Sequence, residues 1–229
     1  MSQFSQRLIF GEKDVLLQDS EGRQIKTFQK SDFRIRGVRY RVMESLLGKI
    51  SGKLLIEINV PIAVEVAFEA QINANVKGAI AHAKVRGAEA HANARGAEAH
   101  GHEKWAFAHA TVDGAKAYAD VPGAKAYTNK PGAIAYAKKP GAKAYANVDG
   151  AEAYAIVRGA IAYARLPGAK AYAKVRGSEA HAIAVKAFAY AAAEGAIAYA
   201  RFPEAEARAI APGAIARATV EGAIAIPLS

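Results

Sequence analysis

The sequence predicts an all-β protein whose larger part is a parallel β-solenoid, a coil of short β-strands stacked along one axis. Three observations predict this fold: a repeat of nine residues, alanine at alternate positions of each unit, and a turn-forming Gly or Pro-Gly between units. The repeat runs from Gly78 over seventeen consecutive nonapeptide units without an insertion or deletion. A fixed short period of this kind is typical of repeat architectures.

Each unit reads Gly-Ala-x-Ala-(Tyr/His)-Ala-x-apolar-x, and we number its positions 0 to 8 from the glycine. The alternation predicts a strand with the alanines of positions 1, 3 and 5 on a buried face and positions 2, 4 and 6 outside. Alanine also favours helix, but a helix interrupted every nine residues would be marginal. Glycine at position 0 is expected to supply the positive φ of a corner. Three units carry Trp105, Lys186 and Glu204 there instead.

The number of units in one coil is open to two interpretations. Position 2 of every third unit is large and apolar, which gives a 27-residue super-period and favours three units per coil. Two units, or 18 residues, per coil is the alternative, because an interior of alanine suits a thin body of two facing sheets. A wide prism lined by alanine would leave voids, and voids in a core are costly.

The chain divides at the start of the repeats. Residues 78–229 form the nonapeptide solenoid, and residues 1–77 are expected to be a β-rich cap over its first open edge, or a small domain of their own. Apolar residues alternate over 54–76, which predicts a long strand with a bend at Pro61. Shorter strands are predicted at residues 7–10, 15–18 and 33–42.

Composition narrows the class of protein. The net charge of +10 would attract acidic polymers, but no dense Lys/Arg cluster appears, which favours a simple role in solubility. The chain has no cysteine, which excludes disulfides and thiolate metal sites. The first twenty residues lack the apolar run of a secretory signal, and no apolar stretch of 18 residues exists. We therefore expect no membrane span, and a cytoplasmic location or export without a cleaved N-terminal signal.

Position 4 is the main candidate for a binding surface. It holds nine of the ten tyrosines and five of the six histidines. Stacked aromatic residues on neighbouring strands stabilise a sheet, and exposed ones can also serve as a platform for sugars, bases or a protein partner. The tyrosines of this aromatic ladder are Tyr118, Tyr127, Tyr136, Tyr145, Tyr154, Tyr163, Tyr172, Tyr190 and Tyr199.

The histidines raise the question of a metal ion. His100, His102, Glu103 and His109 lie close together in the sequence, but they form no HExxH motif or other tight ligand spacing. We therefore predict solvent-facing ladder residues, no metal site and no cofactor. The nine-residue spacing resembles that of the calcium-binding nonapeptides of RTX toxins, but the Asp and second Gly positions of that motif are absent, so calcium binding is not implied.

The large apolar residues at position 2 are the candidate assembly face. Exposed apolar stripes usually mark contact surfaces, and the last unit also lacks a polar capping helix.

No Ser-His-acid pattern or phosphate loop indicates catalysis. The sequence therefore predicts a non-enzymatic, self-assembling scaffold or fibre component, a homo-oligomer or filament. The alternative is a binding module that grips an acidic polymer or a glycan through the Tyr/His ladder and the basic surface. The candidate assembly face at position 2 consists of Ile80, Phe107, Ile134, Ile161, Phe188 and Ile215.

Overall fold

The computed structural model describes residues 4–36, 39–47 and 53–228, and within these ranges the chain is almost entirely β-sheet. Helix is confined in the described ranges to a 3-10 turn and one short α-helix. The N-terminal elements are β1 (Gln6–Phe10), β2 (Asp14–Asp19), β3 (Gln24–Gln29), the 3-10 turn (Lys30–Asp32), β4 (Arg34–Arg36), β5 (Arg39–Val42), α1 (Glu44–Leu47), β6 (Leu54–Ile58), β7 (Ala63–Val66) and β8 (Ala70–Ala74).

Each nonapeptide unit contributes one strand, which covers positions 2 to 5 in all but the last unit. The corners between them bring the strands into parallel stacks, so the predicted β-solenoid is confirmed, with about ten turns. The repeat strands are β9 (Ile80–Ala83), β10 (Glu89–Ala92), β11 (Glu98–Gly101), β12 (Phe107–Ala110), β13 (Lys116–Ala119), β14 (Lys125–Thr128), β15 (Ile134–Ala137), β16 (Lys143–Ala146), β17 (Glu152–Ala155), β18 (Ile161–Ala164), β19 (Lys170–Ala173), β20 (Glu179–Ala182), β21 (Phe188–Ala191), β22 (Ile197–Ala200), β23 (Glu206–Ala209), β24 (Ile215–Ala218) and β25 (Ile224–Ile226).

Two units make one coil, so the favoured prediction of three units per coil was wrong and the 18-residue alternative is correct. Even-numbered repeat strands join a thirteen-stranded sheet and odd-numbered ones a twelve-stranded sheet. The register is regular: Tyr118 lies beside Tyr136 and Ala117 beside Ala135, eighteen positions along the chain. The physical reason is the size of alanine, because methyl side chains fill the space between two closely facing sheets but not the centre of a three-sided prism.

The interior is built from alanine throughout the middle coils. The alanines of positions 1, 3 and 5 from Ala79 to Ala207 are fully shielded from solvent. Two polar residues replace alanine there, and both are satisfied. Thr128 Oγ1 donates to the Tyr145 carbonyl at 3.2 Å, and Ser178 Oγ donates to the Val175 carbonyl at 2.6 Å. The body is therefore thin and closely packed, with no room for larger inward side chains.

The corners explain the glycine at position 0. Corner residues have positive φ, as at Gly132 (φ 71°), and they hydrogen-bond from coil to coil, for example from Gly132 N to Gly150 O at 3.1 Å. Trp105, Lys186 and Glu204 adopt the same left-handed conformation, with φ of 67°, 55° and 58°. The repeat therefore imposes this backbone even where the residue is not glycine, at a local cost.

The N-terminal region caps one end of the coil with larger side chains. Strands β1, β2 and β3 form an antiparallel meander that continues the thirteen-stranded sheet through β6, and β4 and β5 pair antiparallel at the end of the other sheet. Phe10, Phe28 and Phe33 pack together beneath it, with centroids 5.1 Å apart for Phe10 and Phe33 and 5.7 Å for Phe28 and Phe33.

Parallel stacking begins before Gly78. The predicted long strand at 54–76 is instead three strands, β6, β7 and β8, which are coiled like the repeats. Apolar residues continue to alternate through the corners at Pro61 and beyond, which is why a single strand was predicted. The sheets run without a break across the proposed boundary at residue 77. Among the described residues, no helix is long and apolar enough to cross a membrane.

Candidate functional site

Each sheet presents three columns of side chains on its outer surface, from positions 2, 4 and 6 of the repeat. Because each column runs up one sheet, it contains every second unit. The central column, position 4, is aromatic on both sheets. The aromatic residues predicted to form one ladder therefore form two, one on each face of the solenoid.

The two ladders differ in their members but share one geometry. Neighbouring rings stack along each ladder with centroids 4.5–5.3 Å apart. Offset stacking at such distances is a favourable arrangement of aromatic rings. The twelve-stranded sheet carries His82, His100, Tyr118, Tyr136, Tyr154, Tyr172 and Tyr190, and the thirteen-stranded sheet carries His91, His109, Tyr127, Tyr145, Tyr163, His181 and Tyr199.

The ring faces of the tyrosines are covered by their neighbours. Tyr145 stacks on Tyr127 at 4.8 Å and on Tyr163 at 5.0 Å, with ring planes 10° and 11° apart. It is only 5 % exposed, and burial raises its pKa to about 12. The pKa of Tyr172 is likewise raised to about 12, first by burial and then by the charge of Glu152. The ladder therefore presents ring edges to solvent, and a base or sugar would have no free ring face to stack on.

The candidate assembly face is not one surface, and that prediction needs correction. Ile80, Ile134 and Phe188 lie on the twelve-stranded sheet, whereas Phe107, Ile161 and Ile215 lie on the opposite, thirteen-stranded sheet. The reason is that every third unit alternates between two sheets when two units make a coil. Five of the six side chains are half-buried, and Ile215 is exposed.

Charged residues separate the apolar side chains of position 2 on the twelve-stranded sheet. Between Ile80 and Ile134 on the twelve-stranded sheet stand Glu98 and Lys116, whose charged groups lie 3.9 Å apart. The same order of apolar residue, Glu and Lys recurs further up this column.

On the thirteen-stranded sheet, Lys125 and Lys143 stand between Phe107 and Ile161, whereas Ile197 and Ile215 are direct neighbours. The apolar residues of position 2 therefore form no stripe along the length of either face.

The open end of the solenoid carries the apolar surface instead. Strands β24 and β25 are the terminal strands of the two sheets, and each has one unpaired edge. Ala216, Ala218 and Ala225 occupy interior positions but are partly or fully exposed, unlike their counterparts in the middle coils. Large apolar side chains around them are also exposed: Ile210, Ile215, Val220, Ile224, Ile226 and Leu228.

A cluster of imidazoles lies on the outer surface of the twelve-stranded sheet, near the N-terminal cap. His82 and His100 are successive rungs of the ladder, with ring centroids 4.7 Å apart, and His102 lies beside them in the position 6 column. His82 Nδ1 and His102 Nε2 lie 2.8 Å apart. Asp120 Oδ2 lies 2.6 Å from His100 Nδ1 and 3.7 Å from His102 Nδ1.

Burial and charge set different protonation states in this cluster. Burial, followed by the charges of His100 and Arg39, lowers the pKa of His82 to about 2. Burial also lowers the pKa of His102 to about 4, although Asp120 opposes the shift. For His100, burial is outweighed by hydrogen bonds to Asp120 and Glu98, which together raise its pKa. His82 and His102 are therefore neutral near pH 7, and their facing nitrogens form a hydrogen bond in which one imidazole donates and the other accepts.

A second group of potential ligands lies on the opposite sheet. His91 and His109 stack at 4.7 Å, and His91 Nε2 lies 3.3 Å from Glu89 Oε2. Burial lowers the pKa of His109 to about 4. In each of the two groups, one possible ligand atom per residue lies within 4.8 Å of the others.

The sequence did not reveal these groups because it was interpreted with the wrong coil length. A 27-residue coil would place His82 beside His109, whereas the actual coil places it beside His100. The signal that could have found the cluster is the 18-residue spacing of these two histidines. Comparison of the chain with protein-family models, curated proteins and solved structures finds no match.

Proposed function

We propose that the protein is a non-enzymatic structural solenoid that assembles with a second copy of itself through its C-terminal coil. The observation that carries this proposal is the difference between the two ends. At the N-terminal end, the phenylalanine core lies under the antiparallel strands β1–β3. At the C-terminal end, interior alanines and both strand edges are exposed.

Exposed edges of this kind are templates for further strand pairing. The unpaired N–H and C=O groups of β24 and β25 can each accept another strand, and burial of the surrounding isoleucines would add hydrophobic stabilisation. A second copy offers the same two edges and the same apolar side chains. Two copies related by a two-fold axis would therefore bury identical surfaces against each other.

The N-terminal cap favours a closed dimer over a filament. Head-to-tail growth would require β24 or β25 to add to β3 or β4, the outermost strands at the other end. β3 is exposed along most of its length and carries Lys26 and two glutamines, which blunts it as a template. The proposed assembly therefore narrows the predicted oligomer or filament to a tail-to-tail dimer.

Sedimentation of purified protein at several concentrations tests this proposal. The test variant places lysine at Ile215 and Ile224 in the last coil, and the matched control places it at Ile134 and Ile161. All four are position 2 residues, two from each sheet, and lysine already occupies this position at Lys116 and Lys143. We expect a dimer for the wild type and the control and a monomer for the I215K/I224K variant.

Three results would oppose the proposed dimer. A monomeric wild type at all concentrations would exclude self-assembly, and dissociation of the I134K/I161K control alone would place the contact on the flat faces. Growth of long polymers in the wild type would instead support the filament form predicted from the sequence.

The alternative function, a grip on a glycan or nucleic acid through the aromatic ladder, has less support in the geometry. Stacking on bases or sugars uses a free ring face, and the faces of rings such as Tyr145 are covered on both sides. A polymer could still be held by the basic surface, and such binding would weaken steeply with salt. Assembly through the apolar C-terminal coil would not weaken with salt in this way.

A further inference from the structure

The imidazole cluster on the twelve-stranded sheet results directly from the coil geometry. His82 and His100 meet because position 4 residues of successive coils stack, and His102 joins them because residues two apart on a strand share a face. His82 is 2 % exposed, while the side chains of His100 and His102 are 13 % and 20 % exposed. The cluster is thus buried at His82 and most open to solvent at His102.

We propose that His82, His100 and His102 form a binding site for a divalent transition-metal ion of the zinc class. This site is independent of the assembly proposed above. Zinc is bound by imidazole nitrogens at about 2.0–2.1 Å, in sites that often combine three protein ligands with a water molecule. Imidazole donors suit zinc, copper and nickel, whereas magnesium and calcium require oxygen ligands.

The spacing of the nitrogens is close to what such an ion needs. A tetrahedral ion holds its nitrogen ligands about 3.3 Å apart, which follows from the zinc–nitrogen distance. One ring nitrogen from each histidine lies within 4.8 Å of the others, and the closest pair, His82 Nδ1 and His102 Nε2, is 2.8 Å apart. Metal binding therefore requires the side chains to rotate so that all three nitrogens reach this spacing.

Asp120 supplies the carboxylate that metal-binding histidines commonly contact. Its Oδ2 is 2.6 Å from His100 Nδ1 and 3.7 Å from His102 Nδ1. A carboxylate in this place fixes the orientation of a ligating imidazole and makes it a better donor. It also places a negative charge beside the ion.

The neighbouring ammonium groups are already paired with carboxylates. Lys84 Nζ lies 3.4 Å from Glu65 Oε2, and Lys138 Nζ lies 3.9 Å from Asp120 Oδ1. Glu65 is itself buried and stands directly below His82 in the ladder. Glu65 and Asp120 thus offset part of the positive charge around the site, to which Arg41, 3.8 Å from Glu65, and Arg39 also contribute.

Two other histidine sites allow the expected metal affinities to be compared. The group on the opposite sheet has two imidazoles, and its carboxylate, Glu89, lies 3.7 Å from the ammonium of Lys53. His181 is a single imidazole between two tyrosines. With three nitrogens and a carboxylate, the cluster of His82, His100 and His102 should bind the ion most tightly of the three.

Metal titrations of the full chain test the site, with Zn²⁺ followed by calorimetry and Co²⁺ by its visible absorption. H100Y and H181Y form a matched pair, because each replaces a ladder imidazole by the tyrosine that is common in the ladder. H102N changes a residue of the position 6 column and leaves every ladder residue unsubstituted. We expect one tight equivalent of metal in the wild type and no change in affinity for H181Y. H100Y and H102N should lose at least about tenfold in affinity, because loss of a ligand's hydrogen-bond partner alone costs about 10–100-fold.

The proposal is overturned by any of three results. These are the absence of stoichiometric Zn²⁺ binding by the wild type at micromolar concentration, an affinity of H102N equal to that of the wild type, and a loss of binding in H109Y, on the opposite sheet, in place of H100Y. Circular dichroism checks the fold of each variant, and if H100Y does not fold, H102N decides the outcome.

Discussion

His181 is bonded to Glu179 through one ring nitrogen and left without a partner at the other. Its Nε2 lies 2.9 Å from Glu179 Oε2, whereas Nδ1 is buried with no hydrogen-bond partner. Burial, followed by the charge of Arg201, lowers the pKa of this imidazole. On the other sheet, the hydroxyl of Tyr154 donates to Glu152 from the equivalent position and leaves no such orphan.

Replacing His181 by tyrosine is therefore expected to stabilise the protein. The variant reproduces the Tyr154–Glu152 pair, keeps the stack with Tyr163 and Tyr199, and removes a buried unsatisfied nitrogen, a gain of about 1 kcal/mol. Urea denaturation measures the free energy of unfolding. The reverse change, Y154H, is the control and should destabilise by a similar amount; a loss of stability in H181Y would contradict the prediction.

Trp105 is expected to strain the corner that it occupies. Its φ of 67° is a conformation that glycine adopts freely and other residues adopt at about 1–2 kcal/mol. W105G should raise the free energy of unfolding by about 1 kcal/mol, because loss of the contact between the ring and the Lys125 ammonium, 5.3 Å away, offsets part of the gain.

The matched control for this corner is G141A. Gly141 has φ of 74°, and an added methyl group would meet no atom closer than 4.0 Å, so the variant isolates backbone strain. It should lower stability by about 1–2 kcal/mol. Circular dichroism follows both variants, since W105G removes the chain's single tryptophan. A free energy of unfolding for G141A equal to that of the wild type would show that the corner conformation carries no such cost.

Enlarging the interior is expected to be costly in the middle of the solenoid. Ala153 in β17 is fully buried between the two sheets, and leucine there would force them apart, at a cost of about 1–3 kcal/mol or more. K143L places the same side chain on the outer face and should change stability by about 0.5 kcal/mol or less. Thermal unfolding compares A153L with K143L. Equal unfolding midpoints would contradict the conclusion that the interior is too thin for a leucine side chain.

Alkaline pH is expected to unfold the protein through its tyrosines. Burial raises the pKa of Tyr145 and Tyr172 to about 12 in the folded chain, against an ordinary value of 10.0. The folded state therefore holds these protons more tightly than the unfolded state. Their contribution to stability is complete below pH 10 and is lost as the pH rises towards 12.

Tyrosinate absorbance in the ultraviolet measures this shift. In the native protein Tyr145 and Tyr172 should ionise near pH 12, whereas the tyrosines of the same chain in guanidinium chloride should titrate near pH 10. Native ladder tyrosines that ionised at pH 10 would show that the rings are more accessible than their stacking implies.

Much of the local structure followed from the sequence. The alternation of alanine predicted the inward face of every repeat strand, and position 4 was correctly placed outside, because both depend only on the two-residue period of a strand. Glycine predicted the positive φ of the corners, and that conformation persists at Trp105. The strands predicted at residues 7–10 and 15–18 are also present in the structure, as β1 and β2.

Coil length was decided only by the tertiary structure. Every unit offers the same inward alanines, so the interior pattern fits two units per coil or three. The 27-residue super-period of the outer residues belongs to the sequence and not to the coil. Combined with an 18-residue coil, it returns on one face every third coil, as from Ile80 to Ile134.

The chain's own repeat therefore determined what each unit looks like, and the stacking of coils determined which units meet. Closure into two sheets follows from the small volume of alanine, which leaves no void only when the sheets face each other closely. That closure divided the apolar column and the tyrosines between two faces. It also brought His82 to His100, because contacts between coils join residues that are distant in sequence, and no property of a single unit specifies them.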